Sequence, residues 1–418
     1  MRILMLAQFY PPIIGGEERH VRNLSLALHG RGHRVSVATI WQNGLREREL
    51  DEGIDIRRLR GTMQRVGALF SDRDRKYAPP FPDLELLLRL RRLVSEHKPD
   101  VVHAHNWLLH SYLPLKRPNG PPLVVTLHDM SLSCVQKYTM QEDIKCSGPA
   151  FGKCLGCASK FYGPLKGSVA TLGNWMSGAV ERRVVDKFLA VSPAVAAANR
   201  LADEHLPFEV VPNFVADDIG VLRGHEPRVD GLPSEGYLLF VGDLRGPKGV
   251  QVLLEAYSML GEAPPLVLIG RRCADTPREL PPNVYIFESW PHACVMHAWS
   301  RCLFGIAPSV LPDACASVVI EAMAFGKPMI VSDVGGMPDL VDHARTGIIV
   351  PPQEVGALAA AMRRLLEDPE LRERMGAAAL RRAERFKAGS VVPRIESIYR
   401  QLAAAAPHRP QLACEISR

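Results

Sequence analysis

Short, dense apolar runs punctuate this chain at regular intervals, separated by polar stretches with helical periodicity. The first run, Arg2 to Ala7 (RILMLA), ends in the turn FYPPIIGG. Apolar positions then recur at Val21, Leu24 and Leu28, a spacing that predicts a helix stopped by Gly30 and Gly32. A second strand-like run, Arg34 to Thr39, follows, so the chain opens as strand, helix, strand. The rhythm continues through IDIRRL, a helix ending near His97, DVVHAH, PLVVTL, KFLAV and EVV. Short β-rich runs alternating with helices belong to a parallel sheet covered on both faces.

A break comes at Gly224 to Gly236 (GHEPRVDGLPSEG), which is rich in glycine, proline and charge and reads as a linker. Beyond it the alternation restarts with YLLFVG, PLVLIG, NVYIF, LFGIA, PMIVS and GIIV. The expected organisation is a doubly wound domain over 1–223, a linker over 224–236, a second doubly wound domain over 237–388, and a final helix with its tail over 389–418. Leu358, Met362 and Leu365 form one helical stripe, and Ile395, Ile398, Tyr399 and Leu402 form another.

Composition narrows the class. With 418 residues, 47% apolar and 23% charged, the chain is neither disordered, nor fibrous, nor a small disulfide scaffold. Arg89, Arg91 and Arg92 interrupt LLLRLRRLV, and GSVATLGNWMSGAV is too short and polar to span a bilayer, which needs about 20 apolar residues. With no basic-then-apolar leader pattern, a cytoplasmic protein is the expectation. The net charge of +6 is concentrated between Arg57 and Lys76, where seven basic residues face Asp72 and Asp74. That stretch predicts steering of an anionic substrate, or peripheral contact with the inner membrane face. Phe70 and Tyr77 are too few rings to interleave with its basic residues, so nucleic acid is not an expected partner.

Nine cysteines, an odd number without a secretory leader, argue against a disulfide framework. Four of them, Cys134, Cys146, Cys154 and Cys157, fall in one segment and end in Cys-x2-Cys, the half-spacing of a structural zinc site. Zinc, reduced or redox-active thiols, and disulfides all remain open readings. Without a metal, this loop would lack internal support.

Ligands of open parallel sheets bind beyond the carboxyl ends of the strands, so chemistry is sought there. Gly15 and Gly16 follow the first strand and open its helix, where backbone can approach an anion. The spacing is not Gly-x-Gly-x-x-Gly, and no acid stands at the ribose position, which argues against a nicotinamide cofactor. His103 and His105 lie two apart on one strand and point to one side; His105, and His128 with Asp129, sit at strand ends near the crevice, where either histidine could contact substrate hydroxyls. Arg245 and Lys248, in VGDLRGPKG, stand at a helix N-terminus suited to phosphate oxygens. Asp313 and Glu321 flank the amides of Ala314, Cys315, Ala316 and Ser317, a set that suits a ligand with both phosphates and sugar hydroxyls.

Taken in order, FYPPIIGGEERHVRNLSLALHGRGHRVSV, PDVVHAHN, VVTLHD, AVSPAV, VVPNFV, FVGDLRGPKGV, PSVLPDACASVVIEAMAFGKPMIVSDVGG and RTGIIVPP resemble the retaining glycosyltransferases of family 4. The resemblance runs from about Arg2 to Leu402. It implies the GT-B fold, two Rossmann-like doubly wound domains facing each other across a cleft, with acceptor on the first and donor on the second. It implies transfer of a sugar from a nucleotide-diphosphate sugar, UDP- or GDP-linked, to the hydroxyl of a small-molecule or lipid-linked acceptor. No metal cofactor is required in that chemistry, and a donor phosphate oxygen takes the acceptor's proton.

By resemblance, the catalytic set is His128, Lys248, Asp313 and Glu321. His128 meets the donor sugar, Lys248 the diphosphate and Glu321 the ribose, while the Gly15–Gly16 turn approaches the diphosphate. The chain departs from the family pattern in two places. Asp243 stands where an Arg usually follows the phosphate-loop glycine, with Arg245 two positions on as its substitute. Asp313 replaces the first Glu of the Glu-x7-Glu motif. These departures keep a non-catalytic sugar-nucleotide-binding relative as an alternative, and a sugar-nucleotide epimerase of the same fold is another. Asp72-Arg73-Asp74 fits the Asp-x-Asp string of the metal-dependent glycosyltransferase class, but its basic, non-strand setting reads as chance.

Overall fold

The computed structural model describes residues 1–13, 15–65, 75–141, 144–220 and 230–405. The Asp72-Arg73-Asp74 string, Cys414, and the linker residues 224–229 lie outside the described residues, as does part of the Arg57–Lys76 run.

The first sheet contains β1 (Arg2–Ala7), β2 (Arg34–Ile40), β3 (Arg48–Asp51), β4 (Ile54–Leu59), β5 (Val101–His105) and β6 (Leu123–Leu127). A small separate hairpin follows, β7 (Met140–Gln141) with β8 (Ile144–Lys145); β9 (Lys187–Ala190) and β10 (Phe208–Val210) then complete the sheet. Its spatial order is β10-β9-β6-β5-β1-β2-β4-β3, parallel apart from β3. The second sheet is fully parallel. It takes β11 (Leu238–Val241), β12 (Leu266–Ile269), β13 (Val284–Phe287), β14 (Phe304–Ala307), β15 (Met329–Ser332) and β16 (Gly347–Val350) in the order β13-β12-β11-β14-β15-β16. Each sheet therefore reverses direction at its first strand, and both are doubly wound Rossmann-like units.

Coverage on both faces explains the dense runs. β5 and β6 are buried at every position. The helix Leu84–His97 buries Leu86, Leu90 and Leu93 and turns its arginines outward. Asp83 caps it, accepting from the amides of Glu85 and Leu86, and Lys98 ends it in the left-handed region.

Two expectations change in the folded chain. The cysteine segment is not one unsupported loop: it holds the β7–β8 hairpin and two antiparallel helices, Phe151–Tyr162 and Pro164–Val184. Gly167 permits that pairing, since a Cβ there would lie 2.5 Å from the backbone of Ala158. The basic run is also less basic than its composition. Arg57 pairs with Asp55, Arg58 is buried against Glu49 at 2.6 Å, Arg60 meets Glu47 at 2.7 Å, and Arg65 meets Glu85 at 2.9 Å. The antiparallel pairing of β3 with β4 brings the acids from strand β3 and its approach beside these arginines. The described part of the run is thus largely neutralised, and contact of this stretch with a membrane is not shown.

The helix Ala388–Ala405 leaves the second sheet and packs on Gly16–Gly30 of the first unit. Glu396 accepts from Arg31 at 2.7 Å, His33 at 2.9 Å and Arg400 at 2.5 Å. Tyr399, fully buried, bonds Nδ1 of His103 at 2.5 Å. The Arg31 and His33 contacts hold the Glu396 carboxyl down to about 2. Glu396→Gln is expected to cost about 2 kcal/mol at pH 7, from the loss of charge-assisted hydrogen bonds. Because the folded carboxyl titrates low, that difference is present above the unfolded value near 4.5 and vanishes as pH falls towards 2. Urea denaturation of both proteins at several pH values measures it.

Candidate active site

Parallel sheets of this kind take ligands where the strand order reverses, beyond the carboxyl ends of the central strands. In the first sheet that point lies between β1 and β5; in the second it lies between β11 and β14. The segment that follows β6, the neighbour of β5, meets the loops leaving β11 and β14 in one cavity of about 290 Å³. His128, Lys137 and Tyr138 line it from the first unit, and Arg245, Lys248 and Asp313 line it from the second. Asp129, Asp243 and Ala314 also border it.

On the second side, the turn Gly246–Lys248 leads into the helix Val250–Ser258 through Gly249. Gly249 sits at φ +75°, and a Cβ there would fall 1.9 Å from the Pro308 carbonyl oxygen. Only glycine lets this turn close against the end of β14. Lys248 donates to Asp313, and that carboxylate outweighs burial to hold the ammonium above its usual range. Arg245 reaches Tyr138 of the other unit at 3.3 Å. Asp243, the acid in place of the expected base, is paired with Arg271 at 3.2 Å, so its charge is balanced.

Glu321 is 1% exposed. It accepts from Arg19 of the first unit at 2.7 Å and meets Nε2 of His292 at 3.3 Å. Burial raises its pKa, but His292 and Arg19 outweigh this and leave it below the ordinary value. Its Oε2 is buried without a partner. The helix Ser317–Ala324 that carries it begins opposite Gly16, whose Cβ position lies 3.7 Å from the Ser317 hydroxyl. Gly15 is overlain by the folded-back Glu18 carboxylate. Cys315 and Ala316 are buried, and the Cys315 carbonyl already accepts from Asn213 at 2.8 Å, so neither side chain is open to a ligand.

On the first side, His105 does not face the cleft as expected. It is fully buried, and its Nδ1 lies 2.9 Å from Nε2 of His128. His103 bonds Thr126 at 2.7 Å as well as Tyr399, and His20 packs edge-on to His128. Burial lowers all four imidazoles, His128 to about 4 and His103 to about 3, so they are neutral near pH 7. Beside them, Lys137 pairs with Asp129 at 3.1 Å and donates to Asn106 at 2.8 Å. Asn106 in turn donates to Glu17, whose carboxyl is pushed up to about 7 by burial and by Glu18.

Sequence reasoning missed Arg19, Asn106, Lys137 and Tyr138: Lys137 and Tyr138 lie in a segment without a glycine or strand-end cue, while Asn106 directly after β5 and Arg19 just past the Gly15–Gly16 turn had such cues but no feature that singled them out. The cysteines gather without closing. The Gln136 amide donates to the Cys157 sulfur at 3.2 Å, and burial and the other three thiols raise the Cys157 pKa. Among the described residues, His20, His105 and His128 are the set whose ligand atoms lie within 4.8 Å of one another. No three of the four clustered sulfurs meet that spacing, so zinc, one of the three open readings, finds no assembled site among the described residues.

Two family profiles divide the chain between them: "Glycosyltransferase Family 4" matches residues 14–218, and "Glycosyl transferases group 1" matches residues 226–382. The chain belongs to glycosyltransferase family 4. It is 27% identical to a glycogen synthase of Mycobacterium tuberculosis (strain CDC 1551 / Oshkosh), covering 91% of this chain and 90% of the relative. It is 24% identical to a D-inositol 3-phosphate glycosyltransferase of Thermobifida fusca, covering 92% and 88%. In fold it is similar to sucrose-phosphate synthase from Thermosynechococcus elongatus, with a TM-score of 0.73, 20% identity, and 97% and 99% of the two chains covered. It is also similar to Anabaena HepE solved with UDP-glucose, with a TM-score of 0.64, 18% identity, and 96% and 100% covered. The fold of this glycosyltransferase is GT-B.

The four histidines give the glycosyltransferase a characteristic acid response. Each is neutral when folded and takes up a proton near pH 6.5 when unfolded, so stability falls as pH drops from about 6.5 towards 4. Each histidine contributes a slope of about 1.4 kcal/mol per pH unit in that window. Unfolding free energies measured between pH 7.5 and 5 are expected to show it, well before Glu396 begins to titrate.

Proposed function

We propose that this glycosyltransferase retains anomeric configuration and moves a sugar from a nucleotide-diphosphate sugar to an acceptor hydroxyl without a divalent metal. The reading rests on the interdomain cavity, where Arg245 and Lys248 from the switch point of the second sheet face His128 at the end of β6. Two fixed cations at a turn beside a helix N-terminus suit a diphosphate and supply the leaving-group charge stabilisation that a metal would otherwise give. The unpartnered Oε2 of Glu321 is an acceptor for a ribose hydroxyl. With Arg271 balancing Asp243, the acid in the phosphate loop does not oppose the donor.

In this mechanism the donor diphosphate displaces Asp313 from Lys248, and the freed carboxylate turns to sugar hydroxyls. Neutral His128, held by His105, meets the donor sugar as a hydrogen-bonding group. The bond between the anomeric carbon and the phosphate oxygen breaks, and the acceptor oxygen bonds that carbon from the same face. The acceptor proton passes to a donor phosphate oxygen, so no side-chain base is needed. Asn106, Lys137, Asp129 and Glu17 form the polar wall on the acceptor side. Two of the structural relatives were solved with UDP-glucose or with ADP and acarbose, and UDP- or GDP-sugars are the donors proposed for this chain.

A thermal-shift panel of UDP, GDP, ADP and dTDP with EDTA tests donor binding. One nucleotide at about 100 times its dissociation constant is expected to add about 2.7 kcal/mol, a shift of a few degrees. Loss of the shift in EDTA, or silence throughout, contradicts the reading. Lys248→Met is expected to lower kcat by about 100- to 1,000-fold while the fold persists. Proton NMR of the product's anomeric centre decides retention against inversion.

A further inference from the structure

The helix Pro164–Val184 is built inside out. Its buried positions are Gly167, Thr171, Gly173, Asn174, Ser177, Gly178 and Glu181, small or polar residues. Its large apolar residues, Leu165, Val169, Leu172, Met176 and Val180, recur every three or four positions along the opposite face and are exposed. Leu165 is 79% exposed and Met176 63%. The preceding helix adds Phe161 at 60%, and Phe151 stacks edge-on with Trp175 at 5.5 Å. A water-facing helix normally shows the reverse arrangement, and an apolar patch of this continuity marks an interaction surface.

We propose that the helical hairpin Phe151–Val184 seats this protein on an anionic lipid bilayer. Charge names the occupant: from Cys146 to Val180 there is no Asp or Glu, while Lys153, Lys160 and Lys166 stand among the apolar residues. Lysines beside an apolar face rich in Phe, Tyr and Trp match the headgroup zone of an acidic membrane. Among the described residues no helix is long and apolar enough to cross a membrane, so the hairpin lies on the surface rather than spanning it. The hairpin also adjoins the cleft. Tyr162 donates to the Val135 carbonyl at 3.2 Å, and Gln136 bonds Cys157; Lys137 and Tyr138, next in the chain, line the cavity. Docking here brings the acceptor side to the lipid surface and points to a lipid-borne acceptor. The docking stands independently of the transferase reading; the lipid-borne acceptor rests on it.

The test uses the full chain with vesicles of phosphatidylcholine alone and of phosphatidylcholine with phosphatidylglycerol. The protein is expected to float with the anionic vesicles, less so at high salt, and brominated lipid is expected to quench its fluorescence. Trp175→Phe is expected to remove that quenching. Leu165→Glu with Met176→Glu is expected to weaken flotation by about tenfold or more, with the nucleotide thermal shift unchanged. Should the double variant not fold, quenching in the native protein decides alone. Absence of flotation and quenching overturns the proposal. So does a stable dimer in light scattering that the double variant splits into monomers, since a second copy then covers the face. Failure of the nucleotide panel with flotation intact overturns the transferase reading and leaves docking standing.

Discussion

Glu321 is the interaction on which the site depends. A carboxylate at 1% exposure survives in the charged state only with partners supplied, and removing one of a buried pair costs about 3–5 kcal/mol. Its partners come from both units: Arg19 from the first turn of the helix after β1, and His292 from the helix after β13. The pair therefore fixes how the two switch points face each other. The interdomain cavity, the approach of Ser317 to Gly16 and the reach of Arg245 to Tyr138 all follow from that placement. Because one oxygen of Glu321 stays unpartnered, the carboxylate that locks the domains keeps capacity for a ligand.

The alternation of strands and helices was legible because both sheets are covered on two faces, and dense apolar runs such as RILMLA and PLVVTL have no other comfortable place. Lys248 and Asp313 were legible because they follow strands. Arg19 was not: it sits within a helix, and its contact with Glu321 exists only when the second unit is present. The Arg57–Lys76 run misled for a related reason. Counting charges along the chain ignores partners: Glu47 and Glu49 reach those arginines through the pairing of β3 with β4, and Asp55 from two positions along β4 itself. His105 misled through depth, since the strand end it occupies is roofed by His128.

The histidines show how an active-site group is positioned from behind. His128 cannot choose its orientation alone, because an imidazole's tautomer follows what its other nitrogen touches. His105 fills that role, and the His103 ring lies 4.2 Å from that of His105 while it bonds Thr126 and Tyr399. Tyr399 belongs to the helix that returns from the second unit. The relative placement of the domains is thus read at the cleft by Glu321 and beneath it by Tyr399, through two unrelated contacts.

The inverted hairpin obeys the same physics as the core while reversing its direction. In the sheets, large apolar side chains are inside because water is outside. In Pro164–Val184 the protein-facing side is taken up by glycines and polar residues, with Gly167 tight against Ala158 and Gly173 against Phe81. The large residues are left on the outer face. A chain that holds such a face open in water gives up burial worth about 2 kcal/mol for each large side chain. With five such residues on one stripe, the sacrifice exceeds what most single contacts return, so the face is explained by an apolar medium that meets it rather than by the folded monomer alone.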